Sequence, residues 1–158
     1  MGLPAPHGSS VTTIPFVFDD GGREAAGFRG IAGDCAVRAI AIATGKPYRE
    51  VYDAINAIAR TTRRRKSGKR SSARDGVFVE DMHRYLGGVL GWTWHPTMHI
   101  GSGCTVHVRA DELPPGRLVL NLSRHFAAVI DGTLFDTHDC SRDGTRCVYG
   151  YWQPPGGA

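Results

Sequence analysis

Gly33-Asp34-Cys35-Ala36-Val37-Arg38-Ala39-Ile40 and, far downstream, Ser123-Arg124-His125-Phe126-Ala127-Ala128-Val129-Ile130-Asp131-Gly132-Thr133-Leu134-Phe135-Asp136 decide how this chain reads. The first stretch predicts a loop that delivers a cysteine to the first turn of an apolar helix. From Asp34 to Thr44 the sequence is nearly all apolar apart from Arg38, so burial on most sides is expected. Asp34 is the expected N-cap and Gly45 the expected C-cap. The second stretch predicts a β-hairpin, because Asp131-Gly132 carries the type I′ turn signal. With that turn Ile130 pairs with Thr133, and counting back sets Ala127 opposite Asp136 and His125 opposite His138. Side chains alternate along a strand, so His125, Ala127, Leu134, Asp136 and His138 share one face. His125 and Asp136 become diagonal neighbours, roughly 7 Å apart at the backbone and within side-chain reach.

Outward from these stretches, residues 1–30 read as an extended, Gly/Pro-rich segment with one β-prone run, Thr12 to Phe18. Lys46-Pro47 starts a second helix, with Val51, Ile55 and Ile58 or Ala59 on its apolar face. Residues 61–75 read as a flexible basic loop. Gly76 to Leu86 is a third amphipathic helix that stops at Gly87-Gly88. Beyond it strands are expected at Gly91 to Trp94, Thr105 to Arg109, Arg117 to Leu122, Arg124 to Ile130, Thr133 to Thr137 and Val148 to Trp152. Helices first and an antiparallel sheet second is the α+β order.

With 158 residues the chain is expected to be one domain, 1–158, large enough for a real core. It has neither an N-terminal apolar run of the secretory kind nor any stretch approaching a membrane span, so a cytoplasmic protein with no membrane partner is expected. Reduced thiols are expected for the same reason. If any cysteines bridge or share a metal, Cys140 and Cys147 are the expected pair, but their spacing matches no common zinc motif, so no metal is expected. The net charge of +4 is local in origin. Arg60 to Arg74 holds Arg63, Arg64, Arg65, Lys66, Lys69 and Arg70 with no acidic residue, a composition of solvated loops that also suits phosphates or an acidic partner.

The chemistry rests on Cys35. A free thiol ionises near ~8.5, and a helix N-terminus or a cationic neighbour lowers that value. His125 supplies a base, and Asp136 can accept from one imidazole nitrogen and leave the other facing the thiol. The plain alternative is a cysteine that merely packs in a buried helix. His138 and Asp139 are the rival base and orienter, reached if a β-bulge exchanges the faces. Cys104 sits in a Gly/Ser loop with no helix to activate it and reads as structural.

Cysteine on a buried helix, histidine opening a strand and aspartate ending the next resembles the papain-like cysteine peptidase superfamily. Its bacteriocin-processing branch has the same Cys-His-Asp order. Gly33-Asp34-Cys35-Ala36-Val37-Arg38-Ala39 is also similar to the nucleophile motif of ovarian-tumour-type deubiquitinases. The span from Gly33 to Trp152 is similar to small uncharacterised phage and prophage proteins. The resemblance implies a papain-like fold, a Cys35-His125-Asp136 triad and a bacterial host cytoplasm. Six residues before Cys35, where such enzymes place an oxyanion-donating glutamine, this chain has Arg29; its guanidinium is a candidate donor.

The expected function is therefore hydrolysis of a peptide or isopeptide amide through a thioester on Cys35, with no cofactor. Arg63, Arg64, Arg65 and Lys66 are candidate substrate-binding residues for an acidic or ubiquitin-like protein. The competing expectation is an inactive phage-type binding or inhibitor module whose basic loop holds an acidic protein or nucleic acid.

Overall fold

The computed structural model describes residues 13–157; the part of the expected N-terminal segment in residues 1–12 lies outside the described residues. Helix α1 runs Cys35–Thr44 and buries Val37, Ile40 and four alanines. Gly45 ends it at φ 74°, its N–H closing on the Ala41 carbonyl, a conformation that costs a residue without Cβ little. Helix α2, Tyr48–Ala59, follows Pro47 and buries Val51, Ile55 and Ala59 as its periodicity requires.

Six strands make one sheet: β1 Phe16–Phe18, β2 Thr93–Pro96, β3 Arg117–Leu122, β4 His125–Ile130, β5 Thr133–Asp136 and β6 Gly150–Gln153. Their spatial order is β1-β5-β4-β3-β6-β2, with β1 parallel to β5 and the remaining pairs antiparallel. The fold is therefore α+β, as the order of elements in the sequence implies. The β4–β5 turn is the expected one: Asp131 and Gly132 both have positive φ (48° and 76°), and Ile130 faces Thr133.

Two cores flank the sheet. On the helical side Val37, Ile40, Val51, Ile55, Met82 and Leu86 pack on Val119, Ala128 and Trp152. On the other side Leu118, Leu120, Val129 and Leu134 are covered by Ile14, Val108, Leu113 and Val148 from irregular segments. Gly150 is the tightest point. A Cβ there would lie 2.2 Å from the Trp94 ring and 2.9 Å from the His95 carbonyl, and Trp94 is itself packed against Trp152, with ring centroids 4.5 Å apart and planes tilted by 47°. Gly150→Ala is expected to destabilise the fold by about 1–3 kcal/mol through overpacking, read as a lower urea midpoint at unchanged slope.

Several expectations are corrected. The third helix is shorter than expected at its start: Ser72 bridges Gly76 and the Ser71 hydroxyl accepts the Phe78 N–H, which holds residues 76–78 outside it. Helix α3 is Val79–Met82, continuing as a π-helix His83–Val89 through Gly87-Gly88. Thr105 to Arg109 forms no strand, only the single bridge His107 to Cys147. That bridge explains a second correction. It brings Cys104 and Cys147 together as a disulfide with Cα atoms 5.8 Å apart, whereas Cys140 is drawn under the hairpin as a free, buried thiol. Among the described residues no helix is long and apolar enough to cross a membrane. Within the basic segment the Arg65 N–H donates to the Lys69 carbonyl (2.9 Å), and near its end the Ala73 N–H donates to the Asn56 side chain (2.9 Å).

Candidate active site

Cys35 is the first residue of α1 and is half-buried. The β3–β4 and β4–β5 turns bring the other two predicted residues to it. Leu122 pairs with His125 across the two-residue turn Ser123-Arg124, which fixes His125 at the start of β4. Asp136 ends β5, and the register Ala128 to Phe135 sets it one step beyond the last pair. His125 Nε2 donates to Asp136 Oδ2 at 2.6 Å, since a carboxylate can only accept. Nδ1 is then the nitrogen left open, and the Cys35 thiol lines the same groove as the His125 ring. Of the three residues in the sequence reading, His125 and Asp136 are bonded, and Cys35 shares the groove with His125.

The electrostatics favour an ion pair. Burial alone would push the Cys35 thiol up, but the His125 hydrogen bond and charge, the Phe126 backbone N–H and the Arg38 charge outweigh it, and the net direction is down. For His125, burial disfavours the imidazolium. Hydrogen bonds with Asp136, Cys140 and Cys35 outweigh that and push it up to about 11. For Asp136, burial is outweighed by the His125 hydrogen bond and charge and by the Thr137 N–H, so its carboxyl lies below the usual range. These are opposite directions for thiol and imidazole, the arrangement of a thiolate–imidazolium pair.

The structure adds residues that the sequence reading missed. Arg38 reaches both Asp34 and, at 3.7 Å, Asp136 Oδ1. Asp34 stands where the N-cap is expected, but its side chain caps nothing. It accepts instead from Tyr48 Oη at 2.5 Å and pairs with Arg23 at 3.2 Å as well as with Arg38. Tertiary partners have won over the local capping bond. A lone arginine four residues after an aspartate, in an otherwise apolar helix, was the signal available for this pair. Cys140 is the other addition. Burial and the Asp136 charge push its thiol up, although the His125 hydrogen bond acts the other way, so the protonated thiol is favoured.

The rivals are placed differently. His138 is exposed, its ring 5.3 Å from that of His125. Asp139 is spent on Ser141, accepting from its N–H and its hydroxyl. Arg29 lines a neighbouring cavity of about 510 Å³ and not the groove of about 840 Å³ that contains Cys35 and His125. Of the four basic residues expected to bind substrate, Arg65 lines that groove while Arg63, Arg64 and Lys66 do not. His125, Asp136 and Cys140 each offer a ligand atom within 4.8 Å of one another, so a soft divalent ion bound there would break the His125–Asp136 hydrogen bond.

No protein family, curated protein or solved structure matches the chain. The case for what the site does rests on its geometry.

Proposed function

We propose that the chain is a cysteine hydrolase of papain-like layout that cleaves a peptide or isopeptide amide through a thioester on Cys35. One observation carries this reading. A cysteine at a helix N-terminus and an imidazole held at 2.6 Å by a buried carboxylate line one groove large enough for a peptide, with the carboxylate behind the imidazole.

In the first half-reaction Cys35 Sγ forms a bond to the carbonyl carbon while the His125 imidazolium holds the thiol's proton at Nδ1. Collapse of the tetrahedral adduct breaks the C–N bond, and that proton leaves on the amine. In the second, water attacks the thioester carbon as His125 takes its proton; collapse breaks the C–S bond, releases the carboxylic acid and restores the Cys35–His125 pair holding that proton. Asp136 fixes the tautomer throughout. The first N–H groups of α1 lack intrahelical acceptors, so the Cys35 backbone N–H supports the developing oxyanion better than Arg29, which sits across in the next cavity.

The test is mass-spectrometric profiling of cleavage in a mixed peptide library. The wild-type protein should release defined new termini, and Cys35→Ser, with its circular dichroism unchanged, should release none. Cleavage that persists in Cys35→Ser would sink the reading. The exposed arginines Arg63, Arg64 and Arg70 favour, as a second reading, an inactive module that binds an acidic protein or nucleic acid; it predicts binding with no cleavage in either protein.

A further inference from the structure

The groove around Cys35 is lined by more cations than its own acids neutralise. Asp34 is already shared by Arg23, Arg38 and Tyr48. Arg65 lies over the Phe78 ring at 4.0 Å and 3.7 Å from Glu80. Asp75 stands beside Arg74 at 4.0 Å. Lys69 and Arg124 also line the groove, and among the described residues neither makes an ion pair.

Arg124 is placed there against local preference. It is the second residue of the two-residue β3–β4 turn, directly before His125, with φ 55°. Glycine or asparagine takes that backbone conformation with least strain. Strain held beside a reactive group is a pointer to use, and the use open to a guanidinium here is to meet an anion entering the groove. Lys69 approaches from the turn closed by the Arg65 N–H and the Lys69 carbonyl.

Building on the hydrolase reading, we propose that the groove selects an acidic polypeptide, with an Asp or Glu carboxylate close to the scissile amide held by Lys69 and Arg124. A polypeptide is favoured over nucleic acid because both phenyl rings lining the groove, Phe78 and Phe126, are buried. Phe78 lies beneath Arg65 as well, which leaves no phenyl face for a base to stack on.

Binding is measured by fluorescence polarisation of a labelled glutamate-rich peptide on Cys35→Ser protein, so the result does not depend on whether Cys35 reacts. Lys69→Ala and Arg124→Asn, the latter chosen because asparagine tolerates the turn, should each weaken binding by about threefold. The weakening should shrink as salt screens the groove. A matched glutamine-rich peptide should bind poorly to all proteins. Equal affinity in the double variant overturns the proposal, as does a single-stranded DNA oligomer that binds more tightly than the acidic peptide. A second readout uses wild-type Cys35 and needs no peptide. The thiolate sulfur displaces iodide from iodoacetate or from iodoacetamide, forming one C–S bond in either case. The ratio of the two rates should fall severalfold in the double variant. An unchanged ratio with rapid iodoacetamide labelling rejects the anion site while leaving the hydrolase reading standing.

Discussion

His125→Ala is expected to slow alkylation of Cys35 by iodoacetamide at pH 6.5 by about tenfold or more. Two magnitudes set this figure. An ordinary thiol is only ~1% ionised at that pH, so complete ionisation is worth up to about 100-fold. A more acidic thiol is intrinsically the weaker nucleophile, with a Brønsted slope of ~0.4–0.5, which returns part of the gain. The direction with pH is also fixed. In the wild type the thiol lies below its ordinary value, so labelling should already be fast below pH 8 and fall only as the solution becomes acidic enough to protonate the thiolate. In the variant the burial that opposes ionisation remains while the hydrogen bond and charge of His125 are gone. The rise should move to higher pH. Peptide mapping assigns the label to Cys35 and separates it from Cys140. Superimposable profiles for the two proteins would mean that Cys35 and His125 do not act as a pair. On the proposed hydrolase reading, turnover of an amide should suffer more, by ~10²–10⁴, because there the same imidazole must also protonate the leaving amine.

What the sequence made legible was the local part of this site. The hairpin register follows from one dipeptide, Asp131-Gly132, and a period of two, and together they place His125 and Asp136 within reach before any tertiary contact is known. Helix α1 is legible for a similar reason, since an apolar run ended by Gly45 has few other solutions. What stayed hidden depended on long-range partners. Asp34 obeys a local rule on paper, but Tyr48 and Arg23 outbid the helix N–H groups for its oxygens. Cys104 and Cys147 are 43 residues apart, and only the bridge from His107 to Cys147 sets them side by side. Cys140 reaches the dyad because the chain after β5 folds under the sheet, a path that no periodicity records.

The Asp34 network carries the largest stability expectation. Asp34→Ala should cost about 3–5 kcal/mol, measured by urea unfolding, because it strands charges and does not merely delete a contact. The carboxylate has 2% of its side-chain surface exposed, against 12% for Arg38 and 20% for Arg23. Without it Arg38, whose Nε already lacks a partner, keeps only the 3.7 Å approach to Asp136, and the buried Tyr48 hydroxyl loses its acceptor. Arg38→Met should cost less, since Asp34 retains Arg23 and Tyr48 and the methionine refills the apolar volume. Its signature should lie elsewhere. The Arg38 charge helps hold the Cys35 thiol down, so removing it should move the Cys35 labelling profile to higher pH in a protein that remains folded. Stability loss in Asp34→Ala together with a shifted thiol in Arg38→Met would make Asp34-Arg38-Asp136 one strut, tying the start of helix α1 to the carboxylate bonded to His125. A shifted profile without the stability loss would confine Arg38 to acting through its field. An unmoved profile would leave the strut a structural one.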